Sequence, residues 1–143
     1  SNAGHNPPLL VRRDGTVSWL PKAKALMAGP MPGISYSLER LVLTPGDSLF
    51  LYTDGVTEAM NQAEELYSEQ RLETELSSFA GQSIRSGIES LIASIRRFAN
   101  GAEQSDDITM MAVRFIGKQR LNTEKNAQTR SPAPTCHAGR PPI

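Results

Sequence analysis

The sequence predicts an α+β fold with the element order β-β-β-β-α-α-β, because strand-like runs come first and helices follow them. Short apolar runs bounded by turn residues fill the first fifty or so positions. Helical periodicity takes over between residues 68 and 99, and one more apolar run closes the pattern. Residues 9–13 and 16–20 are apolar runs on either side of Asp14-Gly15, a strong signal for a tight hairpin turn. Residues 21–33, rich in Pro, Gly, Ala and Lys, read as a loop. Residues 36–43 alternate loosely and are expected to form a third strand, ended by the turn Pro45-Gly46-Asp47. The run Ser48–Tyr52 is apolar without alternation, the pattern of a strand buried on both faces.

The period then changes. Residues 68–79 carry Leu72, Leu76 and Phe79 at helical spacing with charges between them. Residues 83–99 hold a longer stripe of Ile84, Ile88, Leu91, Ile92 and Ile95, with Ser83 as N-cap and Asn100-Gly101 as the stop. Residues 108–116 form the last expected strand. Residues 1–117 are therefore expected to be the ordered domain. Beyond Gly117 the composition turns to Asn, Gln, Thr, Pro and Arg without periodicity, so 118–143 are expected to be a disordered tail.

At 143 residues there is room for one domain with a core of its own. Zero net charge hides an asymmetry: residues 1–116 hold 10 Lys+Arg against 14 Asp+Glu, and residues 117–143 hold 5 against 1. An acidic body argues against nucleic acid as the main partner, and the tail is too sparse in cations for a membrane patch. The longest apolar runs are far short of the roughly 20 residues a membrane span needs, and no secretion signal opens the chain. The single cysteine, Cys136, excludes an intrachain disulfide and suits a reducing compartment, so a cytoplasmic location is expected.

Chemistry is expected where carboxylates sit at strand ends. Asp54 follows the apolar run Ser48–Tyr52 and precedes a turn at Gly55, and Asp106-Asp107 stand directly before the last strand. Adjacent like charges repel unless a cation or hydrogen-bond donors offset them. A hard divalent ion such as Mg²⁺ or Mn²⁺, which takes oxygen ligands, would do so. The plainer reading is that Asp-Gly is a common turn pair and that Asp before a strand is a cap or turn residue.

Three stretches favour the chemical reading. Ala3-Gly-His-Asn-Pro-Pro-Leu-Leu10, Leu43-Thr-Pro-Gly-Asp-Ser-Leu-Phe-Leu-Tyr-Thr-Asp-Gly-Val-Thr-Glu-Ala59 and Ser105-Asp-Asp-Ile-Thr-Met-Met-Ala-Val-Arg114 occur in that order. Together they resemble the second half of the stage II sporulation protein E-like branch of the protein phosphatase 2C (PPM) family, over residues 3–116 or so. The resemblance implies half of an αββα sandwich, in which antiparallel sheets are flanked by helices and two Mg²⁺ or Mn²⁺ ions lie at one end. It implies Asp54 and Asp106 as metal ligands, with Asp107 a weaker or supporting one. Such ions lower the pKa of a bridging water and stabilise both oxygens of an in-line displacement, so hydrolysis of a phosphoserine or phosphothreonine ester is expected. The implied partner is a phosphorylated regulatory protein, such as an anti-sigma factor antagonist.

The sequence departs from that family in two respects, the smaller at Gly29-Pro-Met-Pro-Gly33, where the family usually has a Leu before the second Gly. The family's first metal-binding Asp, in a Gly-rich segment, has no counterpart here, and Asp14-Gly15 falls in a hairpin turn and does not replace it. The chain by itself is therefore expected to be inactive, with unpaired sheet edges that favour self-association. Supporting roles fall to Gly55, His5, Asn6 and Glu58. His5 and Asn6 are either ligands or anchors of the strand entry beside Pro7-Pro8; Glu58 either holds water at a metal or suits a helix dipole. Trp19 is read as hairpin packing or a partner contact, and Met110-Met111 as core filling. A non-catalytic module that binds a partner protein is the alternative. A haloacid dehalogenase-like site is rejected, because its nucleophilic Asp would stand where Tyr52 does.

Overall fold

The computed structural model describes residues 1–21, 27–29 and 32–117; the expected tail at 118–143 and part of the expected loop at 21–33 lie outside them. Strands β1 (Leu9–Val11), β2 (Val17–Trp19), β3 (Ser48–Tyr52) and β4 (Met110–Arg114) form one sheet in the order β2-β1-β3-β4, with each neighbouring pair antiparallel. Helices α1 (Ser68–Ser77) and α2 (Ile84–Ala99) pack on each other, with α1 against β2 and α2 against β4.

The β1–β2 hairpin turns at Asp14-Gly15 as the sequence predicts. The Thr16 amide donates to Asp14 Oδ1 at 2.9 Å, and Gly15 adopts φ 90°, which a residue without Cβ reaches at no cost. Side-chain alternation then sorts the sheet into two faces. Leu9, Val11, Phe50 and Tyr52 point into the core, where they meet Val56, Leu72, Leu76, Phe79, Leu91 and Ile95. The register pairs Leu49 with Val113 and Leu51 with Met111, so these four share the opposite face. Val113 and Met111 are 50% and 53% exposed there. One helical layer on one sheet is half of a four-layer sandwich.

Two strand expectations are corrected. Residues 36–43 form no strand: β1 pairs directly with β3, and Leu38 and Val42 remain 69% and 80% exposed. Loose alternation cannot create a strand where no sheet neighbour is engaged. The order is accordingly β-β-β-α-α-β, within the same α+β class. Nor is β3 buried on both faces, for Ser48, Phe50 and Tyr52 are buried while Leu49 and Leu51 are only half-buried. Helices cover one side alone.

The helical expectations hold. Ser83 caps α2, its hydroxyl accepting from the Ser86 amide at 3.0 Å, and Asn100 ends the helix in the left-handed region at φ 47°. Phe79 lies beyond the end of α1 but is 2% exposed, its ring lying against Gly87 of α2. Trp19 packs edge-on against Tyr52 at 6.3 Å and donates its Nε1–H to Glu73 of α1 at 3.2 Å, the packing role expected of it. Met110 is half-buried against the core, as expected, but Met111 faces away from it.

Two polar anchors carry no clear sequence signal. Asp47 is 1% exposed and is held by Arg12 at 2.7 Å, by the Thr44 amide and hydroxyl at 2.8 and 2.9 Å, and by the Arg13 amide at 3.1 Å. Arg114 ties β4 to the α1–α2 connection by donating to the Ser48 hydroxyl and to the carbonyls of Phe79 and Gln82. Among the described residues no helix is long and apolar enough to cross a membrane.

Candidate functional site

β3 delivers the chain to a single 3-10 turn, Asp54–Val56, and β4 begins just after Asp106-Asp107. Because the two strands are antiparallel with Tyr52 opposite Met110, both acidic segments emerge at the same end of the sheet. Thr53 fastens them. Its amide donates to the Thr109 carbonyl at 3.0 Å, its hydroxyl donates to the Asp107 carbonyl at 2.8 Å, and the Thr109 amide donates back to that hydroxyl at 2.9 Å.

Gly55 sets how closely the segments approach. A Cβ at this position would stand 2.6 Å from the Asp107 carbonyl oxygen and 3.0 Å from that of Asp106. No side chain fits there. Val56, fully buried, plugs the turn into the core, while Asp54 itself stays exposed. The Asp106 carboxylate is partly engaged, accepting from the Asp107 amide at 2.6 Å, and Gln104 donates to the Asp106 carbonyl at 2.7 Å.

The supporting residues divide. Glu58 is exposed; its amide donates to the Asp54 carbonyl at 2.8 Å and its carbonyl accepts from the Ser105 hydroxyl at 3.4 Å. Glu58 follows a 3-10 turn, not the first turn of an α-helix, so the expected dipole role has no helix to serve. His5 and Asn6 precede β1, whose register sets Leu9 opposite Phe50, so the chain before Leu9 runs toward the Asp54 end. Their contacts are local: the His5 amide donates to Asn2 Oδ1 at 2.9 Å and Asn2 Nδ2 donates to the His5 carbonyl at 2.9 Å.

Exposed carboxylate oxygens at one strand end are the donor type a hard divalent cation takes. Their number falls short: among the described residues no group of three or more His, Cys, Asp or Glu side chains is placed to hold a metal ion. The donor chemistry fits and the set is incomplete. A hollow of about 390 Å³ opens beside it, lined by Asp107, Ile108, Thr109 and Met110 on one side and by Ile92, Ile95 and Arg96 of α2 on the other. Tyr52, buried in the core two residues before Asp54, has its phenol pushed up to about 12 by burial, aided by the charges of Glu69 and Asp54. Thr53 is the positioning residue that sequence reasoning missed; its place in the Tyr-Thr-Asp-Gly stretch was the available signal.

A sheet backed by two helices is the part of the fold that the chain shares with solved PP2C phosphatase domains. The chain belongs to the Stage II sporulation protein E (SpoIIE) family, whose sequence profile matches residues 1–116. It is 36% identical to Protein IcfG of Synechocystis sp. over 115 residues, covering 78% of this chain and 17% of that protein. Its fold is similar to the SiaA-PP2C domain of Pseudomonas aeruginosa, with TM-score 0.67 and 23% identity over 79% of this chain and 44% of that one. It is also similar to the PP2C phosphatase domain of SpoIIE from Bacillus subtilis, with TM-score 0.61 and 20% identity over 80% of this chain and 32% of that one. The chain thus spans less than half the length of each.

Proposed function

We propose that the protein containing this chain hydrolyses phosphoserine or phosphothreonine on a regulatory protein, with Mg²⁺ or Mn²⁺ as cofactor. The observation that supports this best is the close approach of the Gly55 turn to the backbone of Asp106 and Asp107, which sets two acidic motifs of a phosphatase family side by side. Asp54 and Asp106 would hold the metal, with Asp107 beside them as the weaker donor. When bound, such ions activate water and offset charge on the oxygens of the transferring phosphoryl group. The residues of this chain hold and orient: Thr53 fixes the separation of the two acidic segments, and Gly55 lets them touch. By this reading an anti-sigma factor antagonist is one fitting class of substrate, and the location is cytoplasmic.

Phosphate release from a phosphoserine peptide by the full-length parent, with Mn²⁺ present, tests the reading. Asp54→Ala and Asp106→Ala are each expected to lower kcat by roughly 100-fold or more, since even groups one shell out from a metal cost 10–100-fold. Unchanged turnover in both variants would defeat it.

A second reading is favoured by the incomplete ligand set: taken by itself, the chain acts as a non-catalytic module that binds a partner protein. Calorimetric titration of the chain with Mn²⁺ separates the two. Binding weaker than about millimolar supports the module and an inactive isolated chain; tight binding opposes it.

A further inference from the structure

A second concave surface lies on the outer side of the helical layer, formed by α1 and α2 and separate from the acidic turns. It is a groove of about 670 Å³, within the size range of ligand clefts. Residues one helical turn apart line it: Tyr67, Gln70, Arg71, Thr74 and Glu75 on one wall, and Ser94, Arg97 and Phe98 on the other.

Its floor is built and satisfied. The Tyr67 hydroxyl bonds the Ser94 hydroxyl at 3.0 Å, and Ser94 donates to Glu75 Oε1 at 2.7 Å, so the one carboxylate in the groove is already engaged. The Arg71 guanidinium lies 4.5 Å over the Phe98 ring and donates through Nη1 to the carbonyls of Leu66 and Tyr67. Those contacts fix its plane before any ligand arrives and leave Nε and Nη2 without a partner among the described residues. Arg97 is exposed on the facing wall. Among the described residues the only ion pair is Arg12–Asp47, so neither groove arginine is neutralised by a carboxylate. Both arginines act on the Tyr67 phenol, opposing the upward push of burial.

Two unpaired guanidiniums, one of them preorganised, stand out on a body that carries 14 acidic against 10 basic residues over 1–116. Planar forks of this kind favour carboxylates. Between them the groove offers the Phe98 ring and the Gln70 and Thr74 side chains, a mixed lining longer than a single anion needs.

We propose that the α1–α2 groove is a docking site for an acidic, extended segment of a partner protein, with Arg71 and Arg97 pairing its carboxylates. Docking here is independent of the hydrolysis proposed above, because it needs neither metal nor the acidic turns.

The test is fluorescence anisotropy with the full chain in EDTA, using a labelled peptide of about twelve residues (compare the segment lengths of) that repeats Glu-Glu-Leu. A Lys-Lys-Leu peptide and inorganic phosphate serve as comparisons. Saturable binding of the acidic peptide is expected, weakening with salt. Arg97→Glu should weaken it roughly ten-fold or more, the loss of one charge-assisted contact. Arg97→Gln and Arg71→Lys should each weaken it less, and Arg85→Glu, elsewhere on α2, should leave it unchanged. The proposal is overturned if the basic peptide binds as well, if Arg85→Glu weakens binding as much as Arg97→Glu, or if phosphate at equal concentration displaces the peptide.

Discussion

At residue scale the site depends on atoms that are missing as much as on those present. Gly55 carries no Cβ where one would press on two backbone carbonyls, and backbone cannot swing aside as a flexible side chain can. Gly55→Ala is expected to cost about 1–3 kcal/mol of stability, as over-packing does, read as a lower urea midpoint at unchanged slope. Asp47 is the opposite case, a buried carboxylate with every need met. The Thr44 amide does most to hold its pKa well below the usual carboxylate range; Arg12, the Thr44 hydroxyl and the Arg13 amide assist against the cost of burial. A folded-state pKa below the unfolded one gives stability that is complete above about pH 4 and is lost as pH falls toward the folded value. The melting temperature of wild type should therefore exceed that of Asp47→Asn at pH 7, and the gap should narrow at pH 2. Asp54 and Asp106-Asp107 were legible as acidic residues at strand ends, whereas the places of Thr53 and Asp47 were not. A threonine just past an apolar run and an aspartate after Pro-Gly are ordinary until their partners, 54 and 35 positions away for the Asp107 and Arg12 contacts, are known.

At element scale the helices were the most readable part of the chain, because their signals are local. Ser83 and Asn100 bracket α2 by hydrogen bonds and backbone angles that involve only near neighbours. Ser83→Ala is expected to lower stability by about 1 kcal/mol, the usual worth of an N-cap, measured by thermal or urea unfolding. Removing the cap should leave the acidic turns in place, since they rest on β3 and β4. The strands were less readable. Residues 36–43 have the composition of a strand, but strandedness is a relation between two segments, and β3 pairs with β1 and β4 instead. Gly87 makes the same point within a helix. Its value lies in admitting the Phe79 ring, whose nearest atom would stand 2.2 Å from an added Cβ.

At the scale of the whole molecule one face of the sheet is dressed by helices and the other carries none. Met111 and Val113 are half exposed on that second face, on a strand that is also the edge of the sheet. Such an edge templates further pairing. The isolated chain is expected to associate as concentration rises, by sedimentation velocity, and Val113→Lys is expected to shift it toward monomer, since lysine on an edge strand opposes pairing. A monomer at all concentrations in wild type would remove that expectation. What the sequence determined alone was whatever can be encoded within a few residues: turn chemistry at Asp14-Gly15, the helical stripe with its caps, and carboxylates placed where apolar runs end. Tertiary structure alone decided that the turns at Asp54 and Asp106 touch, that Asp47 is buried on Arg12, and that two arginines on different helices share one groove. The reason is the same in each case: these are contacts between segments distant in the chain, and packing brings them together where no local pattern could announce it.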